Sequence, residues 1–322
     1  MNAETTTAME PAGGPPRRLQ VQSKRYGERA IKWLLASCAV LSVLTTTAII
    51  LSLLGPTIGF FEIVPAHEFF FGVDWTPQFE PPSFGVLSIV AGTFNVALWG
   101  MLFAVPIGLG SAVYLSEYAS PRARKTIKPV LEVLAGVPTV AIGIFAVSFI
   151  LPNVIQPLWP GDFLGGAEGK PFLALAAGLG IGLMVVPIIA SLSDDAMRAV
   201  PRGLHEGAYA LGATKAKVAT KVIFPAALSG IVASIVLATS RAVGETMIVV
   251  LAGGSTPKFT LNPVESIQAM TSYIATTATG DIGTGTVDYK SIFAVGALLF
   301  AITLVMNVIS IRLVRRYREV YE

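Results

Sequence analysis

Six long apolar runs divide this chain, at roughly residues 31–54, 89–115, 129–151, 172–192, 226–252 and 291–313. Each approaches or exceeds the ~20 residues that an α-helix needs to cross the hydrocarbon core of a bilayer. The pattern predicts six membrane-spanning helices. The second run is the least clean, since apolar residues extend from Phe84 to Tyr118 and its first part is a candidate for lying along the outer interface. Glycine and proline recur inside the runs. Pro106, Gly108 and Gly110 interrupt the second, and Gly136, Pro138 and Gly143 punctuate the third. Gly178 and Gly182 form a small-xxx-small face in the fourth, which predicts close helix packing, while the prolines are candidate kinks and hinges.

The connecting segments differ in character. Residues 55–88 carry Phe60, Phe61, Phe69, Phe70, Phe71, Trp75, Phe79 and Phe84 among prolines, which reads as an aromatic belt at the membrane interface; contact with a partner protein is the sharper alternative. From Pro263 to Ile274 the apolar positions Val264, Ile267, Met270 and Ile274 predict an amphipathic helix, a candidate re-entrant plug. Thr276-Thr277 and Gly280/Gly283/Gly285 read as loop.

Composition supports a membrane assignment. Hydrophobic residues make up 53% of 322 positions and charged ones 13%, against about 25% charged in soluble domains, and mean hydropathy is +0.68. The net charge of +3 is small, its distribution says more than its sum, and no nucleic-acid partner is expected. Cys38 is the single cysteine and lies in an apolar run, so no internal disulfide or thiolate metal site is expected. His67 and His205 flank no second ligand, and neither a metal nor a cofactor is expected. The first apolar run starts too late and runs too long for a cleaved leader. Residues 1–28 read as a disordered tail ending in basic residues.

Charge sets direction. Nineteen of the 23 Lys and Arg lie at or before the start of the first run, between the second and third, between the fourth and fifth, or at or after the end of the sixth. The other three loops hold only Lys170, Lys258 and Lys290. By the positive-inside rule both termini are cytoplasmic, as is the loop after the fourth run.

That loop contains a polar island, Glu206-Gly207-Ala208-Tyr209-Ala210-Leu211-Gly212, then nine residues and Val222-Ile223-Phe224-Pro225. A short helix is expected, loosened at Gly212 as a hinge and stopped at Pro225. The spacing E-G-A-x3-G-x9-V-x-F-P resembles the E-A-A-x3-G-x9-I-x-L-P loop by which permease subunits of ATP-binding-cassette importers dock onto their ATPase. Gly207, Val222 and Phe224 depart from it. An ordinary loop helix is the plainer alternative.

The fifth run contains Ser240-Arg241-Ala242-Val243-Gly244-Glu245-Thr246. A lone Arg inside the membrane costs at least about 2.5–3.5 kcal/mol, so Glu245, one helical turn on, is expected to pair with it. A buried ion pair adds little stability over apolar residues of similar size. A wet pathway for an anion explains it better than packing alone, and a guanidinium fork suits tetrahedral oxyanions.

Arg241 to Met247 resembles the signature of phosphate-specific importer permeases. Glu28-Arg29-Ala30-Ile31-Lys32, Phe69-Phe70-Phe71-x3-Trp75-x-Pro77, Gly92-Thr93, Ala104-Val105-Pro106-Ile107-Gly108 and Glu132-x2-Ala135-Gly136-Val137-Pro138 are similar to the PstC type of that family. The resemblance covers about residues 28–318. It implies an all-α, six-helix type I ABC importer (MetI-like) permease fold in the bacterial plasma (inner) membrane. Expected segments are 29–88 (first helix and aromatic outer loop) and 89–318 (five-helix core), with a coupling loop at 193–225. The implied partners are a PstA-type second permease, a PstB-type ATPase homodimer and a PstS-type phosphate-binding protein. Arg241, Glu245, Ser240 and Thr246 would line the substrate path. Glu206, Gly207, Ala208, Tyr209, Leu211, Gly212 and Pro225 would couple to the ATPase.

The chain has no G-x-x-x-x-G-K-[ST] segment, since Gly169-Lys170-Pro171 lacks the hydroxyl residue, so it is not expected to be an enzyme. Glu117 and Glu132 are expected to face headgroups or Arg124, Lys125 and Lys128. Alternatives are a permease of the same class for sulfate or molybdate, and a gradient-driven anion transporter. The latter predicts inverted repeats and broken helices around the site.

Overall fold

The computed structural model describes residues 26–158, 169–283 and 285–317, and the chain divides into two units, Met1–Ile49 and Ile50–Glu322. The described part of the first unit belongs to α1 (Tyr26–Phe61), whose side chains up to Ile49 are exposed wherever described. Apolar residues surround this helix, as lipid requires. The hydroxyls of Thr45, Thr46 and Thr47 donate back to carbonyls in the preceding turn, so none faces hydrocarbon unpaired. The tail expected over residues 1–28 lies outside the described residues, except that Tyr26, Gly27 and Glu28 already belong to α1.

In the second unit, α2 (Ala66–Phe71) leads into a short antiparallel pair, β1 (Trp75–Thr76) and β2 (Ser83–Phe84), with Trp75 opposite Phe84. Helix α3 (Leu87–Val113) continues through a π-turn at Tyr114–Tyr118 into α4 (Pro121–Ala135). Next come α5 (Thr139–Phe145), a π-helical stretch at Ala146–Ile155 and α6 (Gln156–Leu158). Pro152 lies inside the π stretch, where its missing N–H would break an α ladder. Helix α7 (Ala174–Arg198) is followed by α8 (Arg202–Ala210), α9 (Lys215–Val218), a π-turn and α10 (Phe224–Ala226). The chain ends with α11 (Leu228–Val243), α12 (Met247–Ala252), α13 (Met270–Ala278) and α14 (Val287–Tyr317).

Among the described residues, five helical stretches are long and apolar enough to cross a membrane: Ala30–Phe61, Leu87–Tyr118, Thr139–Leu158, Ala174–Arg198 and Val287–Arg312. A sixth arises from Lys215–Ala226 and Leu228–Val243, which meet at 72°. The six-span expectation holds, with two corrections to its bounds. The third span starts at Thr139 rather than 129, because Pro138 takes an extended conformation at the head of α5. The residues before it form the separate helix α4, started by Pro121 and capped by Ser120, whose Oγ accepts from the Ala123 N–H at 3.2 Å. The fourth span runs on to Arg198, so the inner loop begins later than 193.

Helices α3 and α7 form the centre of the core. A Cβ on Gly100 would stand 2.8 Å from the Gly178 carbonyl, and one on Gly182 would stand 2.7 Å from the Phe103 ring. Their backbones approach as the small-residue face predicts.

The outer aromatic segment is a packed layer rather than an interfacial belt. Phe60, Phe69, Trp75 and Phe84 are buried and meet edge to face, and Trp75 also packs on Tyr273 of α13 with centroids 4.8 Å apart. Phe70, Phe71 and Phe79 stay exposed. The β-turn pairing gathers rings that a linear reading spreads along the surface.

The helix expected over Pro263–Ile274 forms later, at Met270–Ala278, and includes Thr276-Thr277. Residues 263–267 are instead irregular backbone that bonds to the start of α7 and to the end of α12. Leu175 N–H donates to the Pro263 carbonyl, Ala174 N–H to Glu265, and Ile267 N–H to Gly253. Val264 and Ile267 are buried by that wedge and not by a helical face. Ser272 fixes the helix start by accepting from the Ala269 N–H.

Replacing Gly182 by Leu is expected to force α3 and α7 apart at a cost of at least ~1–3 kcal/mol. The check is a lower thermal midpoint in detergent and reduced yield, with Gly182→Ala less affected than Gly182→Leu.

Candidate functional site

On the inner face, α8 starts at Pro201 and ends in a closed reverse turn. Gly212 adopts φ +76°, its N–H donates to the Tyr209 carbonyl at 2.9 Å, and the Ala213 N–H donates to the Ala208 carbonyl at 3.1 Å. This paired 5→2 and 6→1 bonding is a Schellman stop. Gly212 is therefore a rigid end rather than a loosening hinge, because only glycine takes the left-handed conformation at little cost. Glu206, Gly207, Tyr209 and Leu211 are exposed, Leu211 by 90%. Ala208 turns inward against a cluster that includes Val218, Ile223 and Ile231. Pro225 sits in the first turn of α10, just before the bend into α11.

Polar contacts fasten this helix to the spans. His205 Nε2 lies 3.4 Å from Glu117 Oε1, which also accepts from the Ser116 hydroxyl at 3.0 Å. Glu117 thus faces the inner loop helix and not the headgroups or cations expected for it. The cations of α4 instead meet Asp194 and Asp195 near the end of α7. Arg124 reaches the fully buried Asp194 at 2.5 Å, and Lys128 reaches both carboxylates. At the adjacent residue, the buried hydroxyls of Ser193 and Ser234 join α7 to α11 at 2.7 Å. The two aspartates went unread in the sequence, although adjacent acids at the end of an apolar run signal paired charge.

The second cluster lies inside the fifth span, which is broken. Helix α11 ends at Val243 and α12 starts at Met247, so Gly244, Glu245 and Thr246 are not helical. The expected Arg241–Glu245 ion pair is absent among the described residues. Its geometry required a continuous helix, and the break removes the i,i+4 register. The Glu245 carboxylate is instead buried and accepts from the Ile248 N–H at 3.4 Å, at the positive end of α12. Thr271 of α13 donates to the Glu245 carbonyl at 2.7 Å, tying the break to the outer segment. Further out, Tyr273 lies 2.6 Å from Ser291 of α14, and burial holds its phenol above the ordinary range, so it stays protonated.

Arg241 is exposed. It lies about 20 Å along α11 from Leu228 at ~1.5 Å per residue. Its neighbour Ser240 donates to Asn307 Oδ1 of α14 at 3.1 Å, and Thr246 is half-buried across the break. Asn307 joins this polar stripe without having been singled out, though a lone amide in an apolar run was the available signal. A guanidinium exposed inside a span must meet water or another protein chain, not acyl tails.

These features define a class: a multi-pass membrane permease with an exposed inner knob and a polar stripe on one flank. Residues 104–319 match the family described as binding-protein-dependent transport system inner membrane component. The chain belongs to that family. Among curated relatives, the probable ABC transporter permease protein YqgH of Bacillus subtilis is 30% identical, covering 91% of this chain and 92% of its own. The phosphate transport system permease protein PstC of Haemophilus influenzae is 31% identical over 91% of this chain and 94% of its own. That of Mesorhizobium japonicum is 33% identical over 73% and 74%. Among solved structures, a chain of a bacterial alginate ABC transporter superposes with TM-score 0.62 at 16% identity, covering 91% of this chain and 98% of that one. A chain of the MetNI methionine ABC transporter gives 0.52 at 19% identity, over 73% and 95%.

The fold is thus that of type I, MetI-like importer permeases, and the chain is a multi-pass inner-membrane component. As such it is not the catalytic subunit, and it works with a second permease, an ATPase and a substrate-binding protein.

Gly212→Val is expected to fray α8, since a β-branched residue in the left-handed region costs at least about 1–2 kcal/mol. Gly212→Asn, which tolerates that region, should keep it. Retention of the ATPase on purification of the complex separates the two variants.

Proposed function

We propose that this chain is the permease subunit of an ATP-driven phosphate importer. It forms the anion path with a PstA-type permease and docks on a PstB-type ATPase homodimer. A PstS-type phosphate-binding protein supplies it. Residues 89–318 would be the permease core, with 29–88 adding a first helix and the outer aromatic layer. The observation that carries this reading is Arg241, exposed within a span and without a carboxylate in ion-pair reach among the described residues. The names of the PstC relatives and the Arg241-to-Met247 string support phosphate as the anion.

A fixed cation attracts an anion, and a planar fork of N–H donors matches two oxygens of a tetrahedral one. Ser240 and Thr246 add hydroxyls beside it. Glu245, turned to the start of α12, leaves the guanidinium available and shapes the break from behind. The anion then need not displace an internal carboxylate, and the nearby negative charge still disfavours trapping it.

Force enters at the knob. The chain lacks a nucleotide-binding loop, so hydrolysis belongs to the partner. When the ATPase closes on ATP it moves α8 through Glu206, Tyr209 and Leu211. The rigid Gly212 stop and the Glu117–His205 contact pass that displacement to α3, and the bend before α11 passes it to the fifth span. The path past Arg241 then opens outward to the binding protein, and hydrolysis reverses it.

A broken span beside the site is also what a gradient-driven transporter predicts. Family membership and the exposed knob favour the ATP-driven reading.

Arg241→Gln is expected to abolish phosphate uptake in vesicles while assembly with the ATPase stays intact. Normal uptake would remove Arg241 from the path. For anion class, excess sulfate or molybdate should leave labelled phosphate uptake unchanged, and competition by either would reassign the substrate.

A further inference from the structure

Helix α4 has a polar face that the proposed path and knob do not use. Arg124, Lys125, Lys128 and Glu132 on this helix, with Arg198 at the end of α7, line a cavity of about 480 Å³ on the inner side. Four cations therefore share the wall with one carboxylate. Asp194 and Asp195 engage Arg124 and Lys128 from α7. Lys125 is exposed and makes no ion pair among the described residues, and Arg198 is exposed too. The Arg124 Nε is buried with no acceptor among them.

The opposite face of α4 is apolar and uncovered in this chain, with Val130, Val133 and Leu134 exposed by 53%, 72% and 48%. Helix α4 joins two spans, α3 with its π-turn ending at Tyr118 and α5 starting at Thr139. The positive-inside bias puts that junction at the cytoplasmic surface. An amphipathic helix so placed lies in the interface, apolar side among acyl chains and cations at headgroup level.

We propose that this cavity binds the phosphoryl headgroup of an anionic phospholipid of the inner leaflet, at the headgroup depth that the opposite apolar face sets for α4. Free phosphate offers the same oxyanion, but it gives no reason for the helix to carry an apolar face opposite the cations. This inference stands on α4 alone and does not depend on which anion the chain transports. Since Arg124 and Lys128 also hold the end of α7 just before α8, the bound lipid becomes part of the support of the knob.

The test uses the assembled importer in phosphatidylcholine vesicles. These carry a photoreactive phosphatidylglycerol or a photoreactive phosphatidylcholine at equal mole fraction, and adducts are mapped by peptide mass spectrometry. Preferential labelling of Pro121–Ala135 by the phosphatidylglycerol probe is expected. Lys125→Gln, at a residue with no ion pair among the described residues, should reduce it about fivefold, the effect of one basic residue at an anionic surface. Equal labelling by both probes would overturn the proposal. So would loss of labelling on adding millimolar inorganic phosphate, which would mark a soluble-anion site. Absence of labelling by either probe would also overturn it, by showing that a partner chain covers α4.

Discussion

The cost of leaving charge or open backbone in hydrocarbon is the constraint on which this molecule depends. It explains why threonines along α1 bond back to their own helix. It also explains why the Glu245 carboxylate, inside the fifth span, is buried and bonded to a helix start. Among the described residues, one guanidinium deep in a span meets this cost in another way. Arg241 is exposed inside a span, so its solvation must come from outside the chain, from water in a path or from the facing permease. The broken helix obeys the same constraint, since Thr271 answers the Glu245 carbonyl that the break sets free.

Around that site the architecture is closely packed. Glycines let α3 and α7 touch backbone to backbone, and a rigid pair transmits displacement better than one cushioned by long side chains. At its inner end the pair is clamped twice. Glu117 holds the inner loop helix through His205, and the two aspartates hold α4. The knob ends in a Schellman turn, so a push on Leu211 moves α8 as a body instead of bending it. At the outer end, the interlocked rings of Phe60, Phe69, Trp75 and Phe84 cover the helices with a packed layer. The face presented outward is thereby shaped before any binding protein arrives.

Length and hydropathy made the six spans and their direction legible, because both depend on local composition. The inner helix was legible through spacing, with Glu206 and Gly212 landing in a helix and its stop. What escaped depends on partners distant in sequence. Burial of Trp75 needs Tyr273, the fate of Glu117 needs His205, and Asp194 needs Arg124. Asn307 reads as an ordinary polar interruption until Ser240 is placed beside it. Two errors were of another kind, in which a periodic pattern outran local chemistry. Apolar spacing over 263–274 suggested a helix where backbone pairing with α7 gave an irregular wedge. The third run was carried across Pro138, although that proline marks a helix start.

The separation of Arg241 from Glu245 shows why spacing alone misjudged the site. On a continuous helix the two groups would neutralise each other, and an arriving anion would compete with a tethered carboxylate at close range. Opposite charges about 4 Å apart attract by roughly 4 kcal/mol at an effective dielectric of 20, equivalent to nearly a thousandfold in affinity. Gly244 ends α11, and the carboxylate turns to the Ile248 N–H in the first turn of α12, where a helix dipole stabilises negative charge. The acid is satisfied without using the guanidinium. A residue pattern that looks like a closed ion pair in one dimension thus becomes an open cation beside a shielded anion in three.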